Sequence, residues 1–320
     1  MESLSEFFQK ITANREPSNL YTPIDYTMSQ GGKRLRPRLV LMSTELFGGN
    51  TELAMYPAAA FEMLHNFTLI HDDIMDNAPI RRGKPTVYQQ WNSNIAILSG
   101  DALAAIALQI MLNTPTRPEI ALELSKLLAQ TSVEVCEGQQ KDLDFETADA
   151  VNIDEYLQMI HLKTAVMLAG CLKAGAIISD TSRHNQETIY RLGVHIGLAF
   201  QLKDDLLDVY GDPSSFGKKI GGDIRENKKT YLYLRALEEA TPTLRTELLH
   251  YFSSTQFDDT EKFNAVKNIY EKLSIREKTA AAIDEYARLA YEDLEQLQEV
   301  SENKIPDFKN LIVELSQRNK

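Results

Sequence analysis

The chain has 320 residues, with 34 basic side chains set against 46 acidic ones and a net charge of −12. That balance excludes a general nucleic-acid or anionic-membrane binder, which needs a cationic face. Two cysteines, Cys136 and Cys171, are too few for a disulfide framework and lack metal-ligand neighbours at zinc-like spacing, which fits a reducing cytoplasm.

Along the chain, the N-terminal stretch MESLSEFFQKITANREPSNLY has no basic segment followed by an apolar run, so no signal peptide is expected. Apolar residues then recur at three- and four-residue intervals with no sustained alternation, and the predicted fold class is all-α. The periodicity predicts helices over Leu35–Leu46, Tyr56–Met75, Ile95–Leu112, Pro118–Gln139, Ile153–Ile178, Asn185–Tyr210, Thr230–Glu239, Thr243–Ser253, Thr260–Leu273, Ile275–Gln298 and Pro306–Gln317. Breakers separate them at Gly48-Gly49-Asn50, Pro79 to Pro85, Pro115 to Pro118, Gly211 to Gly222 and Pro242. None of these is a long linker, so a single domain over residues 1–320 is expected. Ile95–Leu112 is apolar on nearly every side, as in a buried central helix or a subunit interface. Thr164–Ile178 is interrupted by Lys173 and falls short of the ~20 residues that span a bilayer, so no membrane insertion is expected.

Two carboxylate runs stand out: Asp72-Asp73-Ile74-Met75-Asp76 and Asp204-Asp205-Leu206-Leu207-Asp208. Each places Asp at i, i+1 and i+4, and on a helix the i and i+4 side chains share one face. Both runs close long apolar helices, at the end where the helix dipole disfavours anions. Two copies in that unfavourable place need a compensating cation. Hard oxygen donors without His or Cys suit Mg²⁺, which keeps several waters and usually shares its sphere with substrate phosphate. Gln201 falls on the face of Asp204 and Asp208, and His65 lies seven residues before Asp72 on the same side.

Positive charge is equally local: Gly31-Gly32-Lys33-Arg34-Leu35-Arg36, Arg81-Arg82-Gly83-Lys84, Gly217-Lys218-Lys219 and Lys228-Lys229. Arg presents a planar fork matched to phosphate oxygens, and Lys a mobile point charge. Basic residues follow each carboxylate run closely, which describes a polyphosphate site. The P-loop pattern is missing, so a nucleotide site of that kind is not expected.

With GGKRLRP, DDIMD followed by RRGKPT, FQLKDDLLD and GKKIGGDIRENKKT in that order, the sequence resembles the trans-isoprenyl diphosphate synthases of the polyprenyl synthetase family. The resemblance implies an isoprenoid synthase-type helical bundle around a central apolar cavity, usually homodimeric. It implies a prenyltransferase that condenses isopentenyl diphosphate with an allylic diphosphate, using three Mg²⁺. Asp72 and Asp76 match the metal ligands of the first motif, and Asp204, helped by Asp208, those of the second. Arg81, Lys163, Thr164, Gln201, Lys218 and Lys228 match positions that hold or neighbour the allylic diphosphate, and Lys33, Arg36, His65 and Arg82 match the isopentenyl diphosphate site. Glu137-Gly138-Gln139 with Asp142 resembles a further signature near the active centre. Asn227 stands where the family usually has Gly, which bears on how the Lys228 loop folds.

A terpene cyclase would carry an Asn/Ser/Glu triad in place of DDLLD and would not need GGKRLRP. A non-catalytic partner subunit tends to lose aspartates or lysines that are all present here. In this family, residues one turn before the first aspartate run set product length. At ~100° per residue, Thr68 lies within about 40° of Asp72 and Phe67 about 140° away. A bulky Phe67 beside a small Thr68 resembles short-chain synthases, with a geranylgeranyl product expected ahead of a farnesyl or longer one.

Overall fold

A computed structural model describes residues 4–12, 15–212, 220–253 and 258–317. The helices are α1 (Leu4–Thr12), α2 (Ser18–Ser29), α3 (Leu35–Leu46), α4 (Thr51–Met75), α5 (Val87–Gln90), α6 (Ser93–Leu112), α7 (Pro118–Thr147) and α8 (Ile153–Ile160). A π-helical turn, His161–Ala165, joins α8 to α9 (Val166–Ile178), and α10 (Arg183–Tyr210) follows. Next come α11 (Gly222–Arg225), α12 (Tyr231–Glu239), α13 (Pro242–Ser253), α14 (Asp259–Lys272), α15 (Ile275–Gln296) and α16 (Ile305–Gln317). Two two-residue strands, β1 (Ile80–Arg81) and β2 (Lys84–Pro85), form an antiparallel hairpin, so the fold is all-α apart from this one turn among the described residues.

Packing resolves the chain into two compact units whose segments alternate in sequence. One comprises Met1–Ser132, Gly170–Tyr190 and Gln298–Lys304, the other Val133–Ala169, Arg191–Leu297 and Ile305–Lys320. Three of the unit boundaries fall inside α7, α9 and α10, where no linker composition exists to be read from sequence, and the other two bracket the segment between α15 and α16.

In the first unit α4 packs on α3 and α6, and Phe61, Met63, Leu64 and Ile70 of α4 are buried with Leu39, Leu103 and Met111. Burying each such side chain contributes on the order of 1.5–3 kcal/mol. The α4/α6 seam is tight at Gly100, where a Cβ would lie 2.4 Å from the His71 ring. Helix α6 is not buried all round: Ala96, Leu103, Ala107 and Met111 face the core, while Ile97, Leu98, Leu108 and Leu112 are exposed. Of the two expectations for this helix, burial within the chain does not hold for that face. By length and apolarity alone, Ser93–Leu112 and the continuous Ile153–Ile178 would each suffice to cross a membrane, and the second is mostly buried.

In the second unit, Leu202, Leu206 and Val209 of α10 gather Tyr156 and Ile160 of α8, Leu232 of α12, Ile269 and Tyr270 of α14 and Ile283 of α15 into one core. Gly193 and Gly197, one turn apart on α10, meet Ala169 and Ala165, where added Cβ atoms would lie 2.4 and 2.5 Å from the alanine Cα atoms. This backbone approach brings the π-helical turn against α10. From the other side Gly138 of α7 abuts the same turn, and a Cβ there would sit 2.2 Å from the Lys163 backbone nitrogen. Gly138→Ala therefore forces backbone apart at the site of Lys163 and should cost about 1–3 kcal/mol of stability. Thermal unfolding checks it, and an unchanged melting midpoint would show that α7 yields freely.

Candidate active site

Helix geometry divides each carboxylate run. Residues i and i+1 lie about 100° apart, so Asp73 turns inward and is 4% exposed while Asp72 is half-buried and Asp76 exposed. Asp73 accepts from Arg81 Nε at 2.7 Å. Burial pushes the Asp73 carboxyl up, against the pull of Arg81. Helix α4 stops because Asn77 adopts φ 50°. The Ala78 N–H then returns to Asp73 O at 3.0 Å and the Asn77 N–H to Ile74 O at 3.3 Å, a left-handed C-terminal cap in which Asn replaces the usual Gly. The cap holds Asp76 at the helix end.

Arg81 and Arg82 sit in the β1–β2 hairpin. Its two turn residues, Arg82 (φ 53°) and Gly83 (φ 75°), both have positive φ, the requirement of the tight turn whose twist matches antiparallel strands. Arg82, strained as a non-glycine there, donates from Nη1 to Gly31 O at 2.5 Å, and a Cβ on Gly32 would lie 3.0 Å from its guanidinium carbon. The glycine pair thus admits the arginine side chain against its backbone. Lys33 is exposed, and Arg36 and His65 are half-buried. Burial, then Arg36, Arg82, Arg81 and Arg34, hold the His65 ring well below its ordinary 6.5, so His65 is neutral within a cationic cluster.

The second run repeats the division. Asp205 is 4% exposed, accepts from the Tyr156 hydroxyl, and accepts from Gln201 Nε2 at 3.1 Å. Burial pushes its carboxyl up to about 6. Gln201, expected on the face of Asp204 and Asp208, instead links Asp205 to Thr164, whose hydroxyl donates to Gln201 Oε1 at 3.0 Å. Asp208 accepts backbone N–H groups from Gly222 at 3.2 Å and Asp223 at 3.1 Å. Lys163 donates to Asp142 at 2.5 Å. Burial would lower Lys228, but Asp223, Glu226 and Asp142 outweigh it and raise it. Lys218 lies outside the described residues.

Sequence reasoning missed Asp223, whose carboxyl burial and Asp208 push up to about 8, and Tyr156, for which a 49-residue separation from Asp205 gave no signal. The departure at Asn227 resolves simply. Asn227 takes φ 59°, and Lys228 N returns to Asp223 O at 2.9 Å, the same cap as at Asn77. Lys262 further donates to the Asn227 side chain and to Arg225 O.

Phe67 and Thr68 divide differently from the wheel. Thr68 spends its hydroxyl on His65 O at 2.8 Å within α4, while the Phe67 ring stands edge-on to His71 at 4.8 Å, the side chain that packs on Gly100 of α6.

Among the described residues no three His, Cys, Asp or Glu side chains converge as a ready-made metal cage. Mg²⁺ needs none, since it takes one or two carboxylates with water and phosphate. The raised Asp208 and Asp223 carboxyls crowd negative charge that a divalent cation relieves, so the donor set fits that ion.

The polyprenyl synthetase family model matches residues 17–273. The short chain isoprenyl diphosphate synthase of Methanothermobacter thermautotrophicus is 37% identical over 298 residues, covering 93% of this chain and 90% of that protein. A crystal structure of a geranylgeranyl pyrophosphate synthase matches with a TM-score of 0.93 at 42% identity, covering 100% of both chains. A polyprenyl synthase from Caulobacter crescentus, solved in complex with calcium and isoprenyl diphosphate, matches with a TM-score of 0.87 at 26% identity over 99% of this chain and 94% of that one.

Because the fold keeps His65 neutral, the unfolded chain takes up a proton there first as pH falls. The stability tied to neutral His65 is complete above about pH 6.5 and is lost toward the depressed folded value. The stability advantage of wild type over His65→Gln, followed by denaturant unfolding, should therefore shrink between about pH 7.5 and about pH 5. A pH-independent difference would mean an ordinary histidine.

Proposed function

The chain belongs to the polyprenyl synthetase family and is a prenyltransferase, and from that premise we propose that it condenses isopentenyl diphosphate with an allylic diphosphate, releasing mainly geranylgeranyl diphosphate. The observation that carries this reading is the paired design of the carboxylate runs. In each, the middle Asp is buried and bonded while the outer ones, Asp72 and Asp76 or Asp204 and Asp208, remain partly or fully exposed at a helix end.

In this reading Asp72, Asp76, Asp204 and Asp208 hold the Mg²⁺. Three such ions would neutralise the charge growing on the leaving diphosphate, letting the allylic C–O bond ionise. Arg81, Lys163, Thr164, Gln201 and Lys228, with Lys218, bind and orient the allylic diphosphate. Lys33, Arg36, His65 and Arg82 bind isopentenyl diphosphate, whose own diphosphate does not leave. Its double bond attacks the carbocation, a carbon–carbon bond forms, and the departed diphosphate takes the proton. No Ser, Cys or His nucleophile is required, and apolar surroundings keep water from quenching the cation.

The exposed Ile97, Leu98, Leu108 and Leu112 of α6 support a homodimer in which a second copy covers that face. The acidic charge and the two free cysteines support a cytoplasmic enzyme in this reading.

The purified chain, given Mg²⁺, isopentenyl diphosphate and each allylic primer in turn, should yield geranylgeranyl diphosphate as its main product by mass spectrometry. Asp72→Ala and Asp204→Ala should each lower kcat at least about 100-fold. Near-normal turnover of either at saturating Mg²⁺ would overturn the metal assignment.

Product length depends on Phe67 and Thr68 in this reading, which rests on the family resemblance for Phe67 and on the shared helix face with Asp72 for Thr68. Phe67→Ala should lengthen the product and Thr68→Phe shorten it. An unchanged product distribution in both variants would place the floor of the cavity elsewhere.

A further inference from the structure

Glu62 is the acid that the basic cluster does not explain. It lies in α4 within an apolar run, one turn before His65, and is 2% exposed. Isolated buried carboxylates are costly, so one that persists is paired. Its partner is Arg34, whose Nη1 donates to Glu62 Oε1 at 2.6 Å, while Asn66 Nδ2 adds a weaker contact at 3.4 Å. The same guanidinium donates from Nη2 to Met28 O of α2 and lies over the Phe8 ring. Glu62 Oε2 and Arg36 Nε are buried without hydrogen-bond partners.

Arg34 occupies the turn that introduces α3, with φ 46°, after Gly31 at 72° and Gly32 at 121°. Gly31 and Gly32 take positive φ without steric cost, but Arg34 is a non-glycine in that region, and something outside the turn must hold it. Arg82 of the β1–β2 hairpin holds Gly31 O, and α3 has no side-chain hydrogen bond at its N-terminus. The second anchor is Arg34 itself, which reaches α2 and α4 while Lys33 before it is exposed.

We propose that Glu62 and Arg34 form a clamp that positions Lys33, Arg36 and Arg82 for the non-leaving diphosphate of isopentenyl diphosphate. Both are positioning residues and neither touches substrate. The inference rests on the reading of that cluster as the isopentenyl diphosphate site.

The sign of the effect separates positioning from simple charge. Removing a negative charge beside arginines makes the cluster more positive, which by field alone tightens anion binding. Loss of the clamp weakens it. Glu62→Gln keeps the side-chain shape and should raise the KM for isopentenyl diphosphate roughly tenfold, with the KM for the allylic primer and kcat little changed. Arg34→Gln, at a partly exposed position, should do the same. The double variant should be no worse than the stronger single, since one interaction is lost only once. Arg34→Lys, which keeps the charge, should recover part of the loss. Thermal melts establish that each variant is folded. A KM for isopentenyl diphosphate that falls or stays unchanged in folded Glu62→Gln and Arg34→Gln, or an equal rise for both substrates, overturns the clamp. Lys33→Ala and Arg82→Ala test the underlying site reading separately. If they raise the KM for isopentenyl diphosphate and the clamp variants do not, only the clamp fails; if they leave it unchanged, the site reading fails.

Discussion

Neighbouring positions on a helix cannot share an environment, and the arrangement within both aspartate runs follows from that. With about 100° between Asp72 and Asp73, one carboxylate is directed toward solvent and the next into the protein. The inward one must be compensated or it would stay protonated or unfold the helix end. Arg81 compensates Asp73, and Tyr156 with Gln201 compensates Asp205. In each run of three aspartates the middle one is a structural pin and the outer two stay partly or fully exposed. The Asp73 pin ties the β1–β2 hairpin through Arg81, and the Asp205 pin ties Tyr156, Gln201 and, through Gln201, Thr164.

The same division governs the basic segment. Lys33 is exposed, and Arg34 is drawn inward by Glu62 and by the Met28 carbonyl. Alternation of an exposed charge with an anchored one lets an acidic protein concentrate cations without losing local order. Like charges held a few ångströms apart repel, and each cluster carries its own counter-charge: buried Glu62 among the arginines, and half-buried Asp142 beside Lys163.

Close backbone approach supplies rigidity where charge cannot. Gly193 and Gly197 bring α10 onto Ala165 and Ala169, and Gly138 presses the Lys163 turn from the other side. A π-helical turn offsets side chains from the regular 3.6-residue repeat, and here it carries Lys163 and Thr164. Two asparagines end helices beside the acidic runs in the same left-handed cap, Asn77 after Asp76 and Asn227 before Lys228. Asparagine fills this role because its short polar side chain tolerates left-handed backbone better than other L residues. The loop of Lys228 thus keeps its turn without the glycine usual in the family.

The sequence alone determined the all-α class, Leu35–Leu46 to the residue, and the placement of both aspartate runs at helix ends, because 3.6-residue periodicity and charge clustering are local properties of the chain. It also determined the family, through ordered motifs whose chemistry is carried by side-chain identity. It did not reveal α1, which is amphipathic but only 9 residues long, α2, whose amphipathicity is weak and which contains Pro23, or the two-residue strands of the hairpin at Arg82-Gly83. The extra turns of α7 past Gln139 run through a polar stretch that only packing keeps helical. Tertiary structure alone decided which aspartate of each run is buried, that Gln201 serves Asp205, that α6 leaves an apolar face uncovered, and that Glu62 meets Arg34. Gln201 is one turn from Asp205, but Arg81 lies eight residues from Asp73, Arg34 28 from Glu62 and Tyr156 49 from Asp205, and the free energy of a buried charge is fixed by the group it meets in space, which periodicity along the sequence does not record.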